Sequence, residues 1–167
     1  EYGEQVDQFV SYKIQSALRT ALYSRDADAL DKYKALLAQV ESWDFEGKDQ
    51  IIFTAESTRM KRESPEAYLN YCYENVEQYV WKDANSLNGI AWYFFENTED
   101  SKYLAAAEKW AAHAVELDPK AHPILDTYAN LLMANGKYNE ALEAETRAVA
   151  LAEEEGADVG AYNEVIL

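Results

Sequence analysis

One cysteine and two histidines, Cys72, His113 and His122, are the whole supply of soft metal ligands in this sequence. A lone cysteine closes no internal disulfide and leaves the redox compartment undetermined. Cys72 lies between Tyr71 and Tyr73 in a tyrosine-rich helical segment. Apolar, aromatic surroundings raise a thiol's pKa instead of stabilising the thiolate, so an inert, partly buried sulfhydryl is expected. His113 and His122 are nine positions apart, one inside a helical pattern and the other just before Pro123. That is not a metal-ligand spacing, and solvent-facing or capping roles are expected for both. No metal and no cofactor is assigned.

Carboxylates are abundant: thirty-one Asp and Glu stand against fifteen Lys and Arg, for a net charge of -16. At that density, runs such as Glu99-Asp100 and Glu153-Glu154-Glu155 arise as solvated acidic surface. Glycoside hydrolysis needs two carboxyl groups facing each other across a sugar, and would require an inward pair with perturbed titration. The chain has no Gly-rich phosphate loop, nucleophile elbow or His-Glu-x-x-His run, so no catalytic residue is assigned. The negative field repels phosphate backbones and anionic membrane surfaces, which argues against nucleic acid as a partner. No run reaches the roughly 18 apolar residues that a membrane span requires, so no membrane insertion is expected. The chain opens at Glu1, with no basic-then-apolar leader, as expected of a processed chain or an excised segment.

The elements that would carry these residues are helical. Val6, Phe9, Val10, Ile14, Ala17, Leu18, Ala21 and Leu22 recur at three-and-four spacing, and Leu30, Tyr33, Leu36, Leu37 and Val40 repeat the pattern after a short break. Gly47 interrupts the periodicity, and a third helix is predicted over about 48–62. Ser64-Pro65-Glu66 reads as an N-cap followed by proline at the first helical position, opening a helix to Trp81. Four further helices come next, through Leu87 and Phe94, through Ala107 and Ala114, through Leu125 and Leu132, and through Ala141 and Leu151. The turn Asn135-Gly136-Lys137 separates the last two, and a short helix restarts after Gly156.

A fixed period in the thirties marks a stacked helix-turn-helix unit. Ala107 and Ala141 are 34 residues apart, as are Ala114 and Ala148, whereas Ala91 and Ala129 are 38 apart. The earlier unit is therefore expected to carry four extra residues in its inter-helix turn. Small residues mark where paired helices approach closely, and Leu87, Ile90 and Phe94, then Leu125, Tyr128 and Leu132, fill the layers between.

The run ANGKYNEALEAETRAVAL, with its Gly, aromatic and two Ala positions, and the closing KWAAHAVELDP resemble the tetratricopeptide repeat. The match departs at Glu153, where the family usually has Pro, and in the longer segment ENTEDSKYL. The resemblance implies an all-α, right-handed stack of antiparallel helical hairpins, a tetratricopeptide-like solenoid of about eight helices plus a short C-terminal helix. A single domain over 1–167 is expected, with irregular hairpins over 1–82, two repeats over 83–154 and a terminal helix over 155–167. The succession EAYLNYCYENVEQYV, LNGIAWYFFEN, AEKWAAHAVELDP also resembles the helical region that follows a thioredoxin-like domain in some bacterial exported proteins. It implies an accessory region covalently linked to such a domain, in a periplasmic or otherwise exported setting. The chain itself has no Cys-x-x-Cys.

Such stacks bind through the non-core face of each first helix. Asn88, Trp92, Phe95 and Glu96 from one unit and Asp126, Asn130 and Met133 from the next fall there. Asparagine can pair with an extended peptide through donor and acceptor, and an aromatic beside it can hold an apolar side chain. Some tetratricopeptide proteins grip a peptide's terminal carboxylate with lysines; Glu96 and Asp126 in these places imply a neutral or basic segment. The expected function is a non-catalytic protein-interaction scaffold. The alternative is a helical module that binds a glycan or small molecule, and it would require several of the four Trp and thirteen Tyr to converge, exposed, in one pocket.

Overall fold

Three helix starts in this chain are set by polar caps. Ser64 Oγ accepts from the Ala67 N–H at 3.0 Å. Asp83 Oδ1 accepts from the N–H groups of Asn85 and Ser86, both at 3.1 Å, and Asp100 Oδ1 from that of Lys102 at 2.9 Å. Each satisfies a donor that the first helical turn leaves unpaired. The computed structural model describes the backbone of residues 2–159 and the side chains of residues 10–159. Within them lie eight helices and no strand: α1 (Tyr2–Tyr23), α2 (Ala29–Ser42), α3 (Lys48–Glu63), α4 (Pro65–Tyr79), α5 (Ala84–Asn97), α6 (Ser101–Leu117), α7 (His122–Ala134) and α8 (Tyr138–Glu155). Among the described residues, no helix is long and apolar enough to cross a membrane.

The chain divides into two compact units, Glu1–Asn75 and Val76–Leu167. In the first, α1 packs on α2 and α3, and α2 on α3. Ile14 and Leu18, Tyr33, Leu37 and Val40, and Ile51 and Ile52 form its core. In the second, α5 packs on α6, α6 on α7 and α7 on α8, and α5 also packs on α7. Ala91, Ala107, Ala111, Ala114, Ala129, Ala141, Ala148 and Ala152 are all fully buried. These are the positions at which neighbouring helices come closest.

Several expectations are corrected. α5 and α6 are joined by three residues, 98–100, and α7 and α8 also by three, 135–137. The four extra residues of the earlier unit are thus not in its turn. They lengthen the helical arms between Ala91 and Ala107, one residue in α5 and three, nearly a helical turn, in α6. α4 ends at Tyr79 instead of Trp81, since Asp83 claims the next residues as a cap and its own N–H closes a turn onto the Val80 carbonyl at 3.0 Å. Leu30, Leu142 and Val10, expected on buried stripes, are exposed, because alanine fills the buried stripe of α8 and Tyr33, Leu37 and Val40 that of α2.

Gly156 closes α8 in the left-handed region at φ 71°, and the Ala157 N–H bonds back to the Ala152 carbonyl at 2.8 Å. Residues 157–159 are not helical, and the rest of the expected terminal helix lies outside the described residues.

Candidate functional site

The seven residues expected to bind a partner all come from two helices that pack together, α5 and α7. Asn88, Trp92, Phe95 and Glu96 share one face of α5 at helical spacing, as Asp126, Asn130 and Met133 do on α7. Trp92 and Phe95 are half-buried and pack on each other, ring centroids 5.2 Å apart at 39°. Glu96 is exposed. Met133 is half-buried against Ala129, Leu132, Ala141 and Ala144, so it serves the core as much as the face.

Asn130 presents an oxygen rather than donors, whereas Asn88 keeps its oxygen inside. Asn130 Nδ2 donates to the Asp126 carbonyl at 2.9 Å and to its carboxylate at 3.2 Å, which commits the amide's N–H groups and leaves Oδ1 without a bond from the described residues. Asn88 Oδ1 is buried and has no hydrogen-bond partner among the described residues. A buried acceptor left empty costs free energy, and Asn130 Oδ1 is the carboxamide acceptor this face offers to a partner.

Charge reinforces the preference. Burial raises the Asp126 carboxyl above its ordinary range, while the hydrogen bond from Asn130 and the nearby His122 pull it down. Behind Asp126, on α8, Glu145 is completely enclosed and neither of its oxygens has a partner among the described residues. Burial, and secondarily the charge of Asp126, pushes Glu145 up to about 7. Glu145 is not among the residues that motif or composition singles out. Its position carries the signal: it lies four residues after Ala141 and three before Ala148, so a helix that buries those alanines must bury it too. The pair meets the electrostatic requirement stated for a hydrolase, yet Glu145 has no exposed surface through which a substrate could touch it.

No family model, curated protein or solved structure matches this chain. Its chemistry rests on its own residues.

The histidines depart from the expected roles. His113 is stacked face to face on Trp81, centroids 4.0 Å apart at 9°, with Nδ1 2.9 Å from Glu116 Oε2 and Nε2 3.1 Å from the Trp81 carbonyl. It fastens α6 to the turn after α4 instead of facing solvent. His122 begins α7, but Ala121 holds the cap position; the imidazole lies 3.5 Å from Glu155 Oε2.

The tryptophans do not gather. Trp110 is buried against Phe94, Trp81 is covered by His113, and Trp43 is exposed in the other unit.

Cys72 is fully buried, and burial pushes its thiol up to about 12, against a smaller opposing pull from the Tyr68 hydrogen bond and Lys61. A water-soluble thiol reagent should therefore label the native chain slowly and the urea-unfolded chain quickly. Stoichiometric native labelling within seconds at neutral pH would contradict the burial.

Proposed function

We propose that this chain is a non-catalytic protein-interaction scaffold, a right-handed stack of antiparallel tetratricopeptide-like hairpins that takes an extended neutral or basic segment on the α5–α7 face. One observation carries the reading. Two mutually packed helices line up an aromatic pair, Trp92 and Phe95, with the uncommitted Asn130 carboxamide oxygen and the acidic Asp126. Carboxamide oxygens accept from peptide N–H, lysine or arginine, the aromatic pair holds an apolar side chain, and Asp126 and Glu96 favour a cation. The succession of packing, α5 on α6 and α7, then α6 on α7 and α7 on α8, supports stacked repeats.

The sequence resemblance also supports an accessory role beside a thioredoxin-like domain in an exported protein. Recovery of such a domain, encoded in the same reading frame, would test that part.

The binding face is tested by a Trp92→Ala, Asn130→Ala double variant, with far-ultraviolet dichroism to establish folding and capture of the natural partner as readout. The variant should stay folded and lose about 2 kcal/mol or more of affinity, as expected when an aromatic anchor and an amide acceptor are truncated. Binding by the parent should also weaken with added salt, because exposed charge attraction is screened over about 8 to 10 Å. Partner binding as tight as the parent's would move the interaction elsewhere, and an unfolded variant would make Trp92 a core residue.

A further inference from the structure

In the first unit, α1, α2 and α3 line a cavity of about 300 Å³ that opens to solvent. Its walls are Leu18 and Leu22 of α1, Tyr33 of α2 and Ile51 and Ala55 of α3. At the roughly 30 Å³ that a small group occupies in a liquid, such a space holds about ten non-hydrogen atoms, near the lower end of ligand-pocket sizes.

The polar groups that α2 and α3 bring to its walls are committed. The Tyr33 hydroxyl donates to Glu56 at 2.8 Å, and Glu56 is held in turn by Arg59 at 2.8 Å. The Thr54 hydroxyl donates to the Gln50 carbonyl and the Thr58 hydroxyl to the Thr54 carbonyl, both at 2.7 Å. Three lining groups remain, on successive turns of α1: the Gln15 amide, the Arg19 guanidinium and the Tyr23 hydroxyl.

Arg19 has no carboxylate partner among the described residues, as is also true of Arg25, Lys34 and Arg147; its guanidinium is exposed and lies 6.0 Å from the centre of the Tyr23 ring. Arg62 of α3 approaches the same ring at 4.4 Å and donates to the Leu22 carbonyl, again without a carboxylate partner among the described residues. The Leu22 bond caps the C-terminus of α1, which explains one Arg62 nitrogen and leaves the others open. Arg19 thus lines an apolar cavity in an acidic protein, and Arg62 reaches the Tyr23 ring beside it.

We propose that this cavity is a binding site for a small amphipathic monocarboxylate, its apolar body among Leu18, Leu22, Ile51 and Ala55 and its carboxylate at Gln15, Arg19 and the Tyr23 hydroxyl. Each part of the ligand answers a part of the cavity. Among Leu18, Leu22, Ile51 and Ala55 an apolar body meets no polar side chain, and the threonine and Tyr33 hydroxyls are already committed. A carboxylate would accept a charge-assisted hydrogen bond from Arg19. The site belongs to a different unit from the α5–α7 face, and either assignment can fail without the other.

Octanoate titrated into the full chain tests the proposal, with amide resonances in nuclear magnetic resonance as readout and 1-octanol and octylamine as uncharged and cationic controls. Octanoate should shift the amides of Leu18, Leu22, Ile51 and Ala55 saturably and bind about tenfold more tightly than octanol, the difference that charged hydrogen bonds supply. Arg19→Gln, a change on an exposed side chain, should bring octanoate down to the octanol level and leave octanol unchanged. Ala55→Leu, which fills the cavity, should weaken both. The proposal is overturned if octanol or octylamine binds as tightly as octanoate, if Arg19→Gln leaves octanoate binding intact, or if octanoate produces no saturable shift around the cavity.

Discussion

Replacing Glu145 by glutamine should stabilise this protein at alkaline pH by about 2 to 3 kcal/mol and flatten its stability between about pH 5 and 8. Glu145 is wholly enclosed on α8, its oxygens have no partner among the described residues, and burial lifts it from 4.5 to about 7. Between those values the folded chain holds a proton that the unfolded chain has released. Stability due to that proton is complete below 4.5 and is lost as pH rises through about 7. Above that the enclosed side chain is ionised without a counter-charge, and a shift of this size corresponds to about 3 kcal/mol. Asp126, also raised, adds to the loss in the same direction. Glutamine has nearly the same shape and stays neutral, so it should remove most of the slope. Urea denaturation of parent and variant at about pH 5.5, 7 and 8.5 measures this. Two curves that stay parallel across the range would mean that Glu145 reaches water.

Ala141→Leu should destabilise the fold by about 1 to 3 kcal/mol. Ala141 is fully buried in the cluster of Ala129, Leu132 and Ala144, where α7 and α8 meet. A leucine there must either push the helices apart or force its neighbours out of their preferred rotamers. The same substitution at Ala150, which is exposed on the same helix, should cost much less. Thermal melts of the two variants compare position rather than residue type. Equal melting temperatures would place Ala141 outside the helix crossing.

Helices were legible in the sequence because periodicity and caps are local. Ser64 and Gly47 mark their boundaries by chemistry that acts within a few residues, and both hold in the structure. The alanine spacing was legible for the same reason: each close helix contact excludes a side chain larger than methyl. Illegible was whatever depends on which of two plausible faces turns inward. Leu142 and Glu145 both lie within reach of the α8 stripe, and hydrophobicity ranks leucine inside; the structure leaves Leu142 exposed and encloses Glu145. The four methyl-sized alanines of α8, Ala141, Ala144, Ala148 and Ala152, fix its rotation, and those two side chains obey it. His113 was unreadable because its partners, Trp81 and Glu116, come from a distant turn as well as from its own helix.

The lengthened α5–α6 pair bears on how this chain can change size. Every residue added within a helix rotates the remainder of that helix by about 100°, so one or two would swing Ala107 away from the neighbour it touches, whereas the three that α6 gains before Ala107 return it to within about 60°. Tolerated length changes at this helix pair are therefore quantised in steps of about one turn, and the added material advances the tip along the helix axis. The Asn135 side chain fits that picture, bonding across to the Leu104 carbonyl at 3.2 Å and Glu108 at 3.0 Å, while Ser101 to Tyr103 begin α6 before that anchor. Deleting a full turn there should preserve rotational phase along α6, and deleting two residues should scramble it.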